Sequence, residues 1–177
     1  MIKQKKGQVE SLFYLGLLIM VVIVAGFVIM LGSGILTFVG NEINDVTSDL
    51  GMIGDTNMSA VSDISVGTTN NMIQMLQWGS GVLIFVSLMS IILFALTIRL
   101  NPSGYLIGFY LFMVIMFIFA AIIMSNLYES FLLGTDEIAL ELQNMAMGSM
   151  LVVYLPTIIT VLSFIGGIII FTGLGQE

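Results

Sequence analysis

An all-α integral membrane protein with four transmembrane helices is the fold class this sequence predicts, and three observations predict it. The composition is 58% hydrophobic and only 8% charged, against roughly 25% charged residues in soluble domains, and the mean hydropathy is +1.13. Residues 11–39, 82–98, 105–125 and 151–174 contain no Asp, Glu, Lys, Arg or His, and each is near the roughly 20 residues a helix needs to cross a core of about 30 Å. The 4 cations, Lys3, Lys5, Lys6 and Arg99, fall on one side if the chain crosses four times, which the positive-inside rule makes the cytoplasmic side. Both termini are then inside, and two acidic segments with amphipathic helices lie outside. The whole chain, 1–177, reads as a single membrane domain.

The first helix is expected over about residues 11–39. Lysines ahead of an apolar run also open a secretory signal peptide, but that hydrophobic region spans only about 7–15 residues. This run is far longer, so it reads as a retained span. Residues 41–78 follow as the longest polar stretch, rich in Asn, Asp, Ser, Thr and Gly and free of Lys and Arg. Within it Ile43, Val46, Leu50 and Ile53, then Met72, Met75 and Leu76, recur near helical spacing. They predict short amphipathic pieces lying on the membrane surface, with Trp78 as the interfacial anchor where the second helix enters.

The second helix is expected over 79–99 and the third over 105–126, joined by a tight turn at 100–104. Asn101-Pro102-Ser103-Gly104 stops one helix, because the residue before proline avoids the α region and proline has no N–H to give. The pair predicts a transmembrane hairpin. Residues 127–149 are expected to form an outer helical hairpin turning at Gly134, with Thr135 as N-cap and Asp136 and Glu137 on the positive end of the helix dipole. Ile138, Leu142 and Met145 would line its apolar face. The fourth helix is expected over 150–174, bent near its outer end by Pro156.

Lys5-Lys6-Gly7-Gln8-Val9-Glu10-Ser11-Leu12-Phe13 resembles an archaeal class III (prepilin-type) signal segment, in which basic residues and a glycine precede the glutamine that opens the hydrophobic helix. The resemblance implies processing after Gly7. Glu10 comes earlier than that family's usual spacing, and three further membrane runs depart from its pattern. In overall type, small polytopic chains without intramembrane charge resemble the membrane proteins of membrane-containing viruses.

Composition excludes much chemistry. A formal net charge of −7 leaves no basic patch to neutralise phosphates, so no nucleic-acid partner is expected. With Cys 0 and His 0, disulfides, haem ligation and ordinary zinc sites are gone, and no cofactor is expected. Pumps and ion-coupled carriers place ionisable groups inside the bilayer. These spans contain none.

Asp55, Asn57, Ser59 and Asp63 carry the 1, 3, 5, 9 rhythm of a calcium loop, but Ala60 replaces the turn glycine and Val66 the bidentate glutamate. Asn57-Met58-Ser59 is also a glycosylation sequon. The outer carboxylates Glu42, Asp45, Asp49, Asp55, Asp63, Glu129, Asp136, Glu137 and Glu141 show no pair spacing suited to catalysis, and Tyr14, Tyr105, Tyr110, Tyr128 and Tyr154 are scattered, so no enzyme is expected.

Small residues are the remaining signal. Gly26, Gly32 and Gly34 stud the first helix, Gly104 and Gly108 form a GxxxG in the third, and Ser163 with Gly167 repeats that spacing in the fourth. Such notches let helix backbones approach where lipid removes the hydrophobic driving force. The function this predicts is a structural or assembly subunit, partnered by the lipid bilayer and by other copies or subunits. The alternative is an oligomeric pore lined by hydroxyls and backbone.

Overall fold

A computed structural model describes residues 2–53, 56–100, 103–135 and 137–173, with the side chains of 1–9, 53–59, 61–66, 70, 137, 146, 147 and 173 outside the description. The element order is α1 (Ile2–Asp49), β1 (Met52–Ile53), β2 (Thr56–Asn57), α2 (Met58–Leu100), α3 (Gly104–Leu132), α4 (Glu137–Asn144), α5 (Ala146–Val153) and α6 (Leu155–Gly173). Four helical stretches, in α1, α2, α3 and α6, are long and apolar enough to cross a membrane.

α1 is the first departure from expectation. It does not stop near residue 39 but runs on for 48 residues, about 70 Å at 1.5 Å per residue. Residues 41–49 are polar, yet nothing in them breaks a helix, and Thr47 and Ser48 donate their hydroxyls to the carbonyls of Ile43 and Asp45 instead of unwinding the chain. The stop comes at Gly51, the one described residue with positive φ, at 60°, where a left-handed C-terminal position suits glycine. A two-residue antiparallel ladder, Met52 opposite Asn57 and Ile53 opposite Thr56, reverses the chain. α2 then returns alongside α1. Residues 41–49 and 58–78 therefore continue the two long apolar helices as one helical hairpin, instead of forming separate short amphipathic pieces.

The second departure is the order of packing. α2 and α3 are consecutive but touch only near their connection, where Phe94 meets Phe109 and Tyr110 at ring-centroid distances of 6.2 and 5.9 Å. α6 packs between them, against α2 on one side and α3 on the other. The expected hairpin is thus opened by the last helix, which fills the groove. Ser103 caps α3, its hydroxyl accepting the Leu106 N–H at 3.3 Å.

The third concerns Pro156. Instead of bending one helix, it separates α5 from α6 at Tyr154, because its missing N–H leaves a turn carbonyl without its usual donor. α4 and α5 fold back as the outer cap. Leu133 and Gly134 make the turn after α3, but α4 begins at Glu137, so Thr135 stands one residue too early to cap it directly, and Asp136 lies outside the described residues.

The core is one continuous apolar cluster. Ile84, Ile91, Phe94, Ala95, Ile98, Ala121 and Tyr128 are fully buried within it, while α1, α3 and α6 turn Val28, Phe119, Ile123, Phe164 and Phe171 outward. An apolar exterior around an apolar interior is what a helix bundle needs when its solvent is lipid.

Candidate functional site

Three features stand apart from ordinary packing: a set of interhelical hydroxyl bonds, a divided set of glycine notches, and the outer half of α1. The hydroxyl bonds run along α3. Tyr110 donates to the Ser163 carbonyl of α6 at 2.8 Å. Ser125 donates to the Val153 carbonyl at 2.8 Å, the acceptor exposed where the α5–α6 break interrupts the helical pattern. Tyr128 and Ser149 share a hydrogen bond of 2.7 Å, and Ser149 donates to the Leu142 carbonyl at 2.7 Å. Because Ser149 has one proton, Tyr128 is the donor in that pair. A buried hydroxyl in an apolar bundle costs free energy unless it is paired, and here pairing joins α3 to α4, α5 and α6. Ser163 Oγ is the exception, buried without a partner among the described residues.

The glycines divide by what a side chain would meet. At Gly26 a Cβ would sit 2.9 Å from Ile84 Cγ1 and 3.4 Å from the Ser80 carbonyl, and at Gly34 it would sit 2.6 Å from Leu142 Cδ2. These two notches are filled by α2 and α4. Gly32, Gly104, Gly108 and Gly167 have nothing within 4 Å of that position, so the GxxxG of α3 and the α6 notch face outward. Three close approaches are absent from the sequence-based set: Gly16 under Met113, Gly148 under Met30, and Gly166 against Tyr110 and Ala95. Gly148 lies beside Ser149 and Gly166 beside Gly167, so small residues mark both in sequence, and Gly16 lies on the same face that buries Leu12, Ile19 and Ile23.

α1's outer half completes the picture. Asn41 donates to Glu141 at 2.9 Å, tying α1 to α4, and Gln77 donates to Thr37 at 3.2 Å, tying α2 to α1. On the free side Leu36, Val39, Ile43, Val46 and Leu50 are all exposed, Val46 to 59%. Their three- and four-residue spacing puts them in one stripe along the helix. Glu42, Asp45 and Asp49 are exposed beside it.

The other sequence-derived positions fall as follows. Trp78 is exposed on α2 just before the buried Ser80. Arg99 is exposed in the last turn of α2, at the same end of the antiparallel pair as the backbone of Lys3, Lys5 and Lys6. Of the calcium positions, Asp55 lies outside the described residues, Asn57 is in β2, and Ser59 and Asp63 are in α2 with side chains not described. Among the described residues no group of three or more carboxylates is close enough to hold a metal ion. Compared with protein-family models, curated proteins and solved structures, the chain matches none.

Proposed function

We propose that this chain is a non-enzymatic assembly subunit of a membrane-embedded complex or viral membrane, with its cation-bearing end inside and the α1–α2 hairpin standing out of the bilayer to dock a partner helix. The observation that carries this reading is the exposed stripe on α1. Carboxylates at Glu42, Asp45 and Asp49 hold that part of the helix outside the hydrocarbon, where charge is expensive. Ile43, Val46 and Leu50 therefore face water, and a contiguous apolar surface in water marks an interaction site. Each such side chain, once covered, contributes roughly 1.5–3 kcal/mol, so even this short seam can hold a subunit. The acids beside it favour a partner with basic flanks. A pore through a single bundle is not what these hydroxyls favour: among the described residues the buried Ser33, Ser80 and Ser87 donate to carbonyls of their own helices.

The test is a photo-crosslinking residue at Val46, with a control at Leu93, which is 60% exposed on the lipid-facing side of α2. In the native membrane, Val46 is expected to give one discrete protein adduct and Leu93 none. The triple change Ile43→Ser, Val46→Ser, Leu50→Ser is expected to abolish partner copurification while leaving helix content unchanged. Identical adduct patterns at Val46 and Leu93, or copurification that survives the triple change, would overturn the reading.

A further inference from the structure

α1 and α3 start at the same end of the bundle and run parallel, with Phe13 against Phe109 at a ring-centroid distance of 5.9 Å and Met113 laid over Gly16. Between residues 10–14 of α1 and the first turns of α3 is a cleft of about 250 Å³ lined by Glu10, Phe13, Tyr14, Tyr105 and Phe109. The cleft brings together four aromatic rings and one carboxylate. Among the described residues Glu10 makes no hydrogen bond or ion pair, and Tyr14 and Tyr105 are about two-thirds exposed, at 68% and 67%, so this end of the cleft is open. Aromatic faces attract cations through their negative π density, most strongly in cages that take quaternary ammonium groups. The Glu10 carboxylate, unpaired among the described residues, adds a charge of the matching sign. The volume is below the roughly 300 Å³ at which drug-sized pockets begin, which suits a headgroup.

The same seam continues toward the middle of the bundle. Met20 and Val24 of α1 meet Phe117, Ala120 and Met124 of α3 over Ile159 of α6 in a close apolar contact. From Phe13 to Val24 the helical rise gives about 16 Å, comparable with the half-thickness of a bilayer core of about 30 Å. Beside the cleft, Gly104 and Gly108 leave the α3 backbone bare. A polar cage at the membrane-flanking end, with the exposed apolar side chains Leu17, Val21 and Phe112 running inward from it, matches a single amphiphile.

We propose that the cleft binds the headgroup of one zwitterionic phospholipid, its ammonium group held between Glu10 and the rings of Tyr14 and Tyr105, with its acyl chains lying over the exposed apolar surface beside it. This is independent of the docking role of the outer hairpin, since it uses the opposite end of α1.

The probe is an equimolar mixture of phosphatidylcholine and phosphatidylglycerol with identical acyl chains, offered to the full chain in detergent and read by native mass spectrometry. One retained phosphatidylcholine is expected, at about tenfold preference over phosphatidylglycerol. Glu10→Gln, and separately Tyr14→Ala with Tyr105→Ala, are expected to remove that preference. Phe164→Ala, on the outer face of α6, is expected to keep it. The exposed positions of the tyrosines make the variants' unchanged circular dichroism the check that folding is intact. Equal retention of both lipids, or a preference unaffected by Glu10→Gln, would overturn the site. Tetramethylammonium chloride, which has the charge without the chain, is expected not to displace the lipid; displacement would overturn the lipid as occupant and leave a small-cation site.

Discussion

Gly166→Ala is expected to destabilise the bundle by about 2–3 kcal/mol, the range for forcing extra volume into a packed core. The new methyl would collide with the Tyr110 hydroxyl and sit 3.0 Å from Ala95 Cβ. The tyrosine cannot swing away freely, because its ring lies 5.9 Å from Phe94 and its hydroxyl is donated to the Ser163 carbonyl. Gly167→Ala, one residue along, meets nothing within 4 Å and should be neutral or slightly stabilising, since alanine is the better helix former. Reversible unfolding in mixed micelles reads both. Tyr110→Phe removes the colliding oxygen, so the Gly166→Ala, Tyr110→Phe double variant is expected to lose clearly less than the sum of the singles. Additive losses would mean that the two helices do not meet where the structure puts them.

Tyr128→Ala is expected to cost about 3 kcal/mol, the lower end for emptying a large aromatic site. Tyr128 is fully buried, its ring lies 6.4 Å from Phe27 of α1, and its hydroxyl is bonded to Ser149 of α5. It therefore joins three elements, and the cap formed by α4 and α5 should loosen when it goes. Tyr128→Phe keeps the ring and removes only the hydroxyl bond, for which membrane proteins show about 0.6 kcal/mol on average. Limited proteolysis near Gly134, together with the unfolding curve, separates the two effects. A phenylalanine variant as damaged as the alanine one would show that the hydrogen bond, not the packed ring, holds the cap.

The four helices long and apolar enough to cross a membrane were legible because hydropathy is additive along the chain and needs no partner to be read. The outer half of α1 was not, although Ile43, Val46 and Leu50 displayed its period plainly. Polar residues at 41–49 suggested a boundary, yet on a two-helix hairpin only the contacting face must be apolar, and Asn and Asp on the other faces leave the helix intact. Gly51 carried the true stop. The separation of α2 from α3 could not be read locally at all, since Pro102 fixes that the chain turns but not which helix occupies the space between. At the glycines, the sequence marked Gly26, Gly32 and Gly34 alike as small residues and could not show which notches face a neighbour: Gly104 and Gly108 have the GxxxG pattern and face outward, whereas Gly166 makes a tight approach beside the bond from Tyr110 to Ser163, which spans 53 residues of sequence. Pairings of that range depend on the three-dimensional arrangement of helices, and periodicity along one helix does not encode them.

Everything above rests on lipid being the solvent between the two ends of the bundle. The chain has Cys 0, so single cysteines report without background. Met52, Leu100 and Leu133, exposed at 67%, 79% and 83%, can each be replaced and treated with a membrane-impermeant maleimide in sealed vesicles. Met52→Cys and Leu133→Cys are expected to react from one face and Leu100→Cys only from the other. Labelling of all three from the same face would contradict the four crossings.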